Sequence, residues 1–154
     1  MHASAIFDQP MADIADLLRI SKTIAVVGLS PKTHRASYSV AAYMQAHGYR
    51  IIPINPREAG KTILSELCYA DLAEARQHHH IDIVACFRSA DDIPPIADAA
   101  IEIAARCLWM QSGIVNIDAA QSAYQAGLIV VMDRCLKIEH QRLLLNMNTY
   151  TESE

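Results

Sequence analysis

Five short segments of this chain carry residue types suited to holding a phosphate-bearing small molecule. The first is Gly28-Leu29-Ser30-Pro31-Lys32-Thr33-His34-Arg35-Ala36-Ser37. A glycine lets backbone approach a bound group closely, and an arginine can hold a phosphate through two parallel hydrogen bonds. Lys32 adds a second cation, and a helix starting near Ser37 would offer unpaired N–H groups and the positive end of its dipole. The others are Asn55-Pro56-Arg57, Phe87-Arg88-Ser89, Gln111-Ser112-Gly113 and Asp133-Arg134-Cys135. Each directly follows a short apolar run.

Those runs are the elements that must position the chemistry. Thr23 to Gly28, Arg50 to Asn55, Ile81 to Phe87, Cys107 to Gln111 and Leu128 to Met132 read as strands, and continuous apolar character suits parallel strands buried on both faces. Between them fall helical patterns. Met11, Ile14, Leu17 and Leu18 recur at helical spacing after Pro10, and Ser37 to His47 is a helix that Gly48 ends, with Ser37 as its expected N-cap. Asp91 to Ala105 holds Pro94 and Pro95 in its first turn; Ile117 to Ala126 and Leu136 to Asn146 complete the set. A strand at Thr62 to Leu64 and a helical turn from Ala70 to Arg76 are expected between the second and third principal strands. Pro53 fits a strand only at a sheet edge or strand end.

Strand and helix alternate throughout, which predicts a doubly wound three-layer α/β/α fold of Rossmann-like type with a mainly parallel sheet of about five strands. The expected organisation is one domain over 1–154, with its core at about 15–145 and loose ends at 1–9 and 148–154. In such open sheets, ligands bind beyond the carboxyl ends of the strands where the strand order reverses, which is where the five segments lie.

Composition narrows the function. The 154 residues are 52% hydrophobic and 19% charged, and the mean hydropathy is +0.12. Disordered chains lack that apolar content. Thirteen basic residues against 17 acidic ones give a formal charge of −4, which argues against nucleic acid as partner while leaving room for one local anion site. The four cysteines show no C-x-x-C spacing and two lie in apolar runs, as expected of reduced thiols in a cytoplasmic protein. Met1 to Pro10 does not read as a signal peptide, and no apolar run approaches the ~20 residues that span a bilayer, so no membrane partner is expected.

The first loop is neither G-x-G-x-x-G, since Ser30 stands at the second glycine position, nor a P-loop, which ends in Gly-Lys-Ser/Thr. An NAD site usually has a carboxylate after the second strand; here Asn55-Pro56-Arg57 supplies an arginine, which suits a ribose bearing a phosphate. An ordinary strand-to-helix connection with solvated charges is the bland alternative.

Ala25-Val26-Val27-Gly28-Leu29-Ser30, Arg35-Ala36-Ser37 and Gly48-Tyr49-Arg50-Ile51-Ile52-Pro53-Ile54-Asn55-Pro56 resemble the small single-domain CoA-binding proteins, which are similar to the CoA-binding domain of the succinyl-CoA synthetase α-subunit. Asp82-Ile83-Val84, Phe87-Arg88, Leu108-Trp109-Met110-Gln111-Ser112-Gly113 and Met132-Asp133-Arg134-Cys135 extend the resemblance over roughly 15–145. It implies coenzyme A as the cofactor, with Gly28, Leu29, Ser30 and Pro31 against the pyrophosphate and Arg35 and Ser37 in support. It also implies Asn55, Pro56 and Arg57 beside the adenosine end with its 3′-phosphate. Phe87 and Arg88 would form the facing wall, and Trp109, Gln111 and Gly113 would lie toward the pantetheine; Trp109 reads equally as a core residue.

The implied function is binding of CoA or an acyl-CoA without catalysis; no catalytic or metal-ligating residue is assigned. The alternatives are an NADP- or other nucleotide-binding oxidoreductase subunit and an acyl-CoA enzyme component that needs a partner chain. Succinyl-CoA synthetase-like catalysis calls for a phosphorylated histidine from a second domain and a separate nucleotide-grasp subunit, neither of which is expected from these residues. A homo-oligomer or a partner enzyme subunit stays open. His78-His79-His80 reads as a solvated loop because adjacent imidazoles diverge, His34 lies in the phosphate loop, and His140 reads as a surface or packing residue. Cys135 carries two readings: a structural thiol, or a reactive one that its arginine neighbour and helix start favour, open to a mixed disulfide with CoA or to redox sensing.

Overall fold

The computed structural model describes residues 11–153, with side chains described for 14–146. The elements, in chain order, are α1 (Met11–Ile20), β1 (Thr23–Val27), α2 (Ala36–Ala46), β2 (Arg50–Ile54), β3 (Thr62–Ile63), β4 (Glu66–Leu67) and α3 (Leu72–Arg76). They continue with β5 (Ile83–Cys86), α4 (Ile93–Glu102), β6 (Cys107–Met110), α5 (Ile117–Gln125), β7 (Ile129–Val131) and α6 (Leu136–Ser153). Single 3-10 turns at Pro56–Glu58 and Ala90–Asp92 follow β2 and precede α4.

Five strands form one parallel sheet in the order β2-β1-β5-β6-β7, and β3 and β4 pair separately as an antiparallel hairpin. Alternate strand residues serve the two faces. Ile24, Val26, Ile51, Ile83, Ala85 and Trp109 pack against α1, α2 and α6. Ala25, Ile52, Val84, Cys86 and Leu108 pack against α3, α4 and α5. Both faces are thus covered, the reason β5 and β6 are apolar at every position. This is a Rossmann-like α/β fold, and none of its described helices is long and apolar enough to cross a membrane.

Pro53 is accommodated because β2 is the edge strand, and its carbonyl accepts from the Tyr69 amide at 3.0 Å. Three local readings change. The expected strand through Leu64 stops at Ile63, because Leu64 and Ser65 turn with φ of 55° and 64° and return the chain as β4. The 91–105 helix begins as a 3-10 turn and becomes α-helical only at Ile93–Glu102. The last helix continues past Asn146 to Ser153 where the sequence reading expected a loose end; residues 1–9 lie outside the described part.

Candidate functional site

Chain order reverses between β1 and β5, so a crevice opens at their carboxyl ends. The Gly28 amide donates to Ile54 O at 2.8 Å, and the Phe87 amide donates to Val27 O at 2.9 Å, which joins the three strand ends. Gly28 has φ +88°, and a Cβ there would stand 2.6 Å from Phe87 O. Only glycine fits this crevice floor.

Two loops make one wall above it. Ser37 Oγ accepts from the Ser30 amide at 3.0 Å, and Ser30 Oγ accepts from the Lys32 amide at 3.1 Å. Ser37 is therefore a brace across the loop and not the N-cap of α2; that position belongs to Arg35, in extended conformation and with no side-chain cap bond. Asn55 Nδ2 donates to Leu29 O at 3.0 Å, and Asn55 Oδ1 accepts from the Arg57 amide at 3.0 Å. One side chain thus ties the end of β2 to the loop after β1 while starting the turn that carries Arg57.

The resulting cleft, of about 590 Å³, is lined by Gly28, Ser30, Pro31, Lys32, Arg35, Ala36, Ser37, Asn55, Arg57, Glu58, Phe87 and Arg88. Four cations face one carboxylate there, on a chain of net charge −4. Arg88 is braced by Asp92 at 3.2 Å, and Asp92 also accepts from Ser89 Oγ at 3.0 Å. Among the described residues, no carboxylate forms an ion pair with Lys32, Arg35 or Arg57. Exposed cations beside a helix N-terminus are the chemistry that attracts an anion.

A second recess, of about 410 Å³, shares Gly28, Asn55, Arg57 and Arg88 with the first. Its other walls are more apolar: Val27, Ile54, Pro56, Ala70, Leu72, Pro95, Ile96 and Ala99, with Asp71 and Asp92 at the rim. Sequence reasoning missed Leu72, Pro95, Ile96 and Ala99, because nothing local in α3 or α4 says that these helices meet beside the end of β2. In the other direction, Ala36, Phe87 and Arg88 lead to a pocket of about 400 Å³ with Val40, Ser89, Gln111, Ser112, Ile114 and Cys135. Gln111 is only 4% exposed; its Oε1 accepts from the Leu136 amide at 3.3 Å, while its Nε2 has no partner among the described residues.

Three residues implied by resemblance lie elsewhere. Trp109 is fully buried between β6 and the helices beneath it, and its indole N–H donates to Arg134 O at 2.8 Å. It borders none of these pockets; it holds the loop before α6. The Leu29 side chain is likewise buried in the core, so its backbone alone reaches the loop wall. Gly113 lies in the loop after β6, where its amide donates to Asp133 Oδ1 at 2.6 Å.

The histidines separate. His78 stacks on Tyr69, His79 Nε2 lies 3.1 Å from Tyr69 OH, and His80 Nε2 lies 3.0 Å from Asp82 Oδ1. His34 is exposed, and His140 is buried with Nδ1 2.9 Å from Tyr43 OH. Burial, with His47 nearby, lowers the His140 pKa. Of the cysteines, Cys86 is pushed up to about 12 by burial, and burial also raises Cys107 and Cys68. Cys135 is the one that is partly open.

Residues 22–141 match the family model of the CoA binding domain. The chain belongs to the CoA binding domain family. Consistent with that membership, it is 39% identical over 132 residues to the Bacillus subtilis protein YneT, covering 84% of this chain and 93% of that one. A solved structure from Thermus thermophilus superposes with a TM-score of 0.83 at 31% identity, covering 88% of this chain and 99% of that one. A Pyrococcus horikoshii protein gives 0.83 at 34% identity, over 90% and 95% of the two chains. The family is described as a CoA binding domain, and in open sheets of this kind ligands bind beyond the strand ends, where the crevice lies.

Proposed function

We propose that this protein binds CoA or an acyl-CoA and holds it without transforming it. The pyrophosphate sits in the basic cleft against Gly28, Ser30 and Pro31, with Lys32 and Arg35 supplying charge. The adenosine enters the recess between Pro56 and Ile96, where Arg57 meets the 3′-phosphate and Arg88 closes the opposite side. The pantetheine runs past Phe87 toward Gln111.

The observation that carries this reading is the union of one basic cleft with one largely apolar recess at the switch point, sharing Asn55, Arg57 and Arg88. A nucleotide carrying an extra phosphate has that division of charge. The absence of catalysis is argued from the polar side chains of the wall: Ser30, Ser37 and Asn55 are engaged in holding the loops.

The test is thermal unfolding with CoA, dephospho-CoA, NADP and NAD. A ligand that binds only the folded state raises its stability by mass action, by about 2.7 kcal/mol at one hundred times Kd. A rise selective for CoA, smaller for dephospho-CoA and reduced in Arg35→Ala, supports the reading. A response to NADP without one to CoA overturns it and favours the oxidoreductase subunit.

A further inference from the structure

Arg88 stands at the junction of the site. It borders the basic cleft, the recess beside Asn55 and the pocket that leads to Gln111, and among the described residues it alone borders all three. Its arm crosses the crevice floor, since Arg88 Cδ lies 3.0 Å from where a Cβ on Gly28 would stand. The missing side chain of Gly28 thus leaves room for the arginine. The far end is tied down: Arg88 Nη2 donates to Asp92 Oδ2 at 3.2 Å, and Ser89 Oγ donates to the same oxygen at 3.0 Å.

Two prolines make Asp92 available for this bond. It holds the N-cap position of α4, where an aspartate usually accepts from the amide two or three residues into the helix. Those residues are Pro94 and Pro95, which have no N–H, and the Asp92 side chain makes no cap bond. The amide before them, Ile93 N, donates to Ala90 O. Ile93, Pro94 and Pro95 therefore offer a phosphate no backbone donor, and Arg88 is the cation presented beside them. The Arg88–Asp92 pair is half-exposed and four residues apart, a class of ion pair that adds little to stability. A phosphate can take the same guanidinium through two charge-assisted bonds, which makes the exchange favourable.

We propose that Asp92 is a positioning residue that holds Arg88 as a latch over the junction and yields it to an incoming phosphate. The inference rests on the CoA reading above. Without ligand, the guanidinium is paired with Asp92. When a phosphate of CoA arrives, the guanidinium exchanges its carboxylate partner for phosphate oxygens, and Asp92 keeps its bond to Ser89. Asp92 thereby sets how fast the site is entered, and Arg88 sets how slowly it is left.

The experiment measures CoA association and dissociation by surface plasmon resonance on the immobilised full chain, with affinities from calorimetry. Wild type is compared with Asp92→Asn, Arg88→Ala and the double variant. Both side chains are half-exposed, so these changes leave the core untouched. Asparagine keeps the size of the side chain and an acceptor for Ser89 while removing the charge. Loss of one exposed ion pair is expected to raise the association rate about two- to fivefold, with dissociation unchanged. Arg88→Ala is expected to speed dissociation. Adding Asp92→Asn to Arg88→Ala is expected to change nothing further, because the aspartate acts only through the arginine. An aspartate with a merely structural role would leave association at the wild-type rate, and one that repels CoA directly would keep its effect without Arg88. Either result overturns the latch and leaves the CoA reading standing. If the wild-type chain does not bind CoA, that reading fails and the latch fails with it.

Discussion

A Cβ on Gly28 would stand 2.6 Å from the carbonyl oxygen of Phe87, so the ends of β1 and β5 approach each other as closely as backbone allows. A side chain at this position would collide with the floor of the crevice. Gly28→Ala meets both that clash and a φ of +88°, and backbone cannot yield as a flexible side chain would. The expected loss is at least about 2 kcal/mol of unfolding free energy, read by urea titration. The CoA-dependent thermal shift is expected to disappear with it.

Asn55 joins two loops with one amide, so its substitutions separate stability from binding. Asn55→Ala removes the bonds to Leu29 O and the Arg57 amide, at a cost of about 1–3 kcal/mol. Asn55→Asp keeps the acceptor for Arg57 but places a negative charge in the basic cleft. CoA affinity is expected to fall more in the aspartate variant than in the alanine variant. Calorimetric titration of both decides; equal affinities would contradict the assignment of the cleft to phosphates.

Lys32, Arg35 and Arg57 are exposed, so their pull on an anion is open to screening. At physiological ionic strength the Debye length is about 8 Å, falling to about 3 Å at 1 M. CoA binding is expected to weaken steadily with added KCl, and the slope to flatten in Arg57→Ala. Dephospho-CoA should show a shallower slope than CoA in the wild-type protein.

Three lowered pKa values among the described residues, those of His140, Asp82 and His79, set the acid side of stability. For His140, burial is the larger cause and His47 adds to it, so the neutral ring is favoured in the folded state. Its contribution is fully present above the ordinary value of 6.5 and is lost as pH falls through the lower folded value. For Asp82, burial pushes upward, but the Lys22 and Thr23 amides together with His80 and Arg106 bring its pKa below 3.8. That contribution is present above 3.8 and is lost as pH falls through the still lower folded value. Denaturant midpoints from pH 7 to pH 3 are expected to fall in two stages, and His140→Gln should flatten the upper one. His79, also lowered by burial, leaves part of that upper slope in place.

Trp109→Phe tests the indole bond to Arg134 O while keeping an aromatic ring in the core. The stability change is expected to be about 1 kcal/mol from the lost hydrogen bond, with any cavity adding to it. The CoA thermal shift should persist. Loss of the shift in this variant would show that the bond, through the loop before α6, shapes the cleft.

The large features of the fold were legible because their signals are local. Buried parallel strands must be apolar throughout, so Ile83 to Cys86 and Cys107 to Met110 announced themselves, and the loops beyond them became the place to look for chemistry. The spacing predicts Ser37 as a helix cap because a serine before an apolar pattern commonly is one. Its bond to the Ser30 amide depends on how seven residues of loop fold back, which no spacing rule records. The hairpin turn at Leu64-Ser65 was invisible for a related reason: such turns ordinarily need Asn or Gly at positive φ. Here Gln45 of α2 donates to Leu64 O at 2.8 Å, and Leu64 packs against the core.

By itself the sequence determined the alternation of strands and helices, the burial of the sheet on both faces, and the cationic loop after β1, since each follows from residue type and short-range spacing. Tertiary structure alone decided that Trp109 faces inward while Gln111, two residues on and beside Cys135, is left with a donor that has no partner among the described residues. It also decided that α3 and α4 complete the recess beside Asn55. The physical reason is that these outcomes depend on which groups from distant segments meet across the sheet, where hydrogen bonds and packing between them choose among conformations the local sequence leaves equally open.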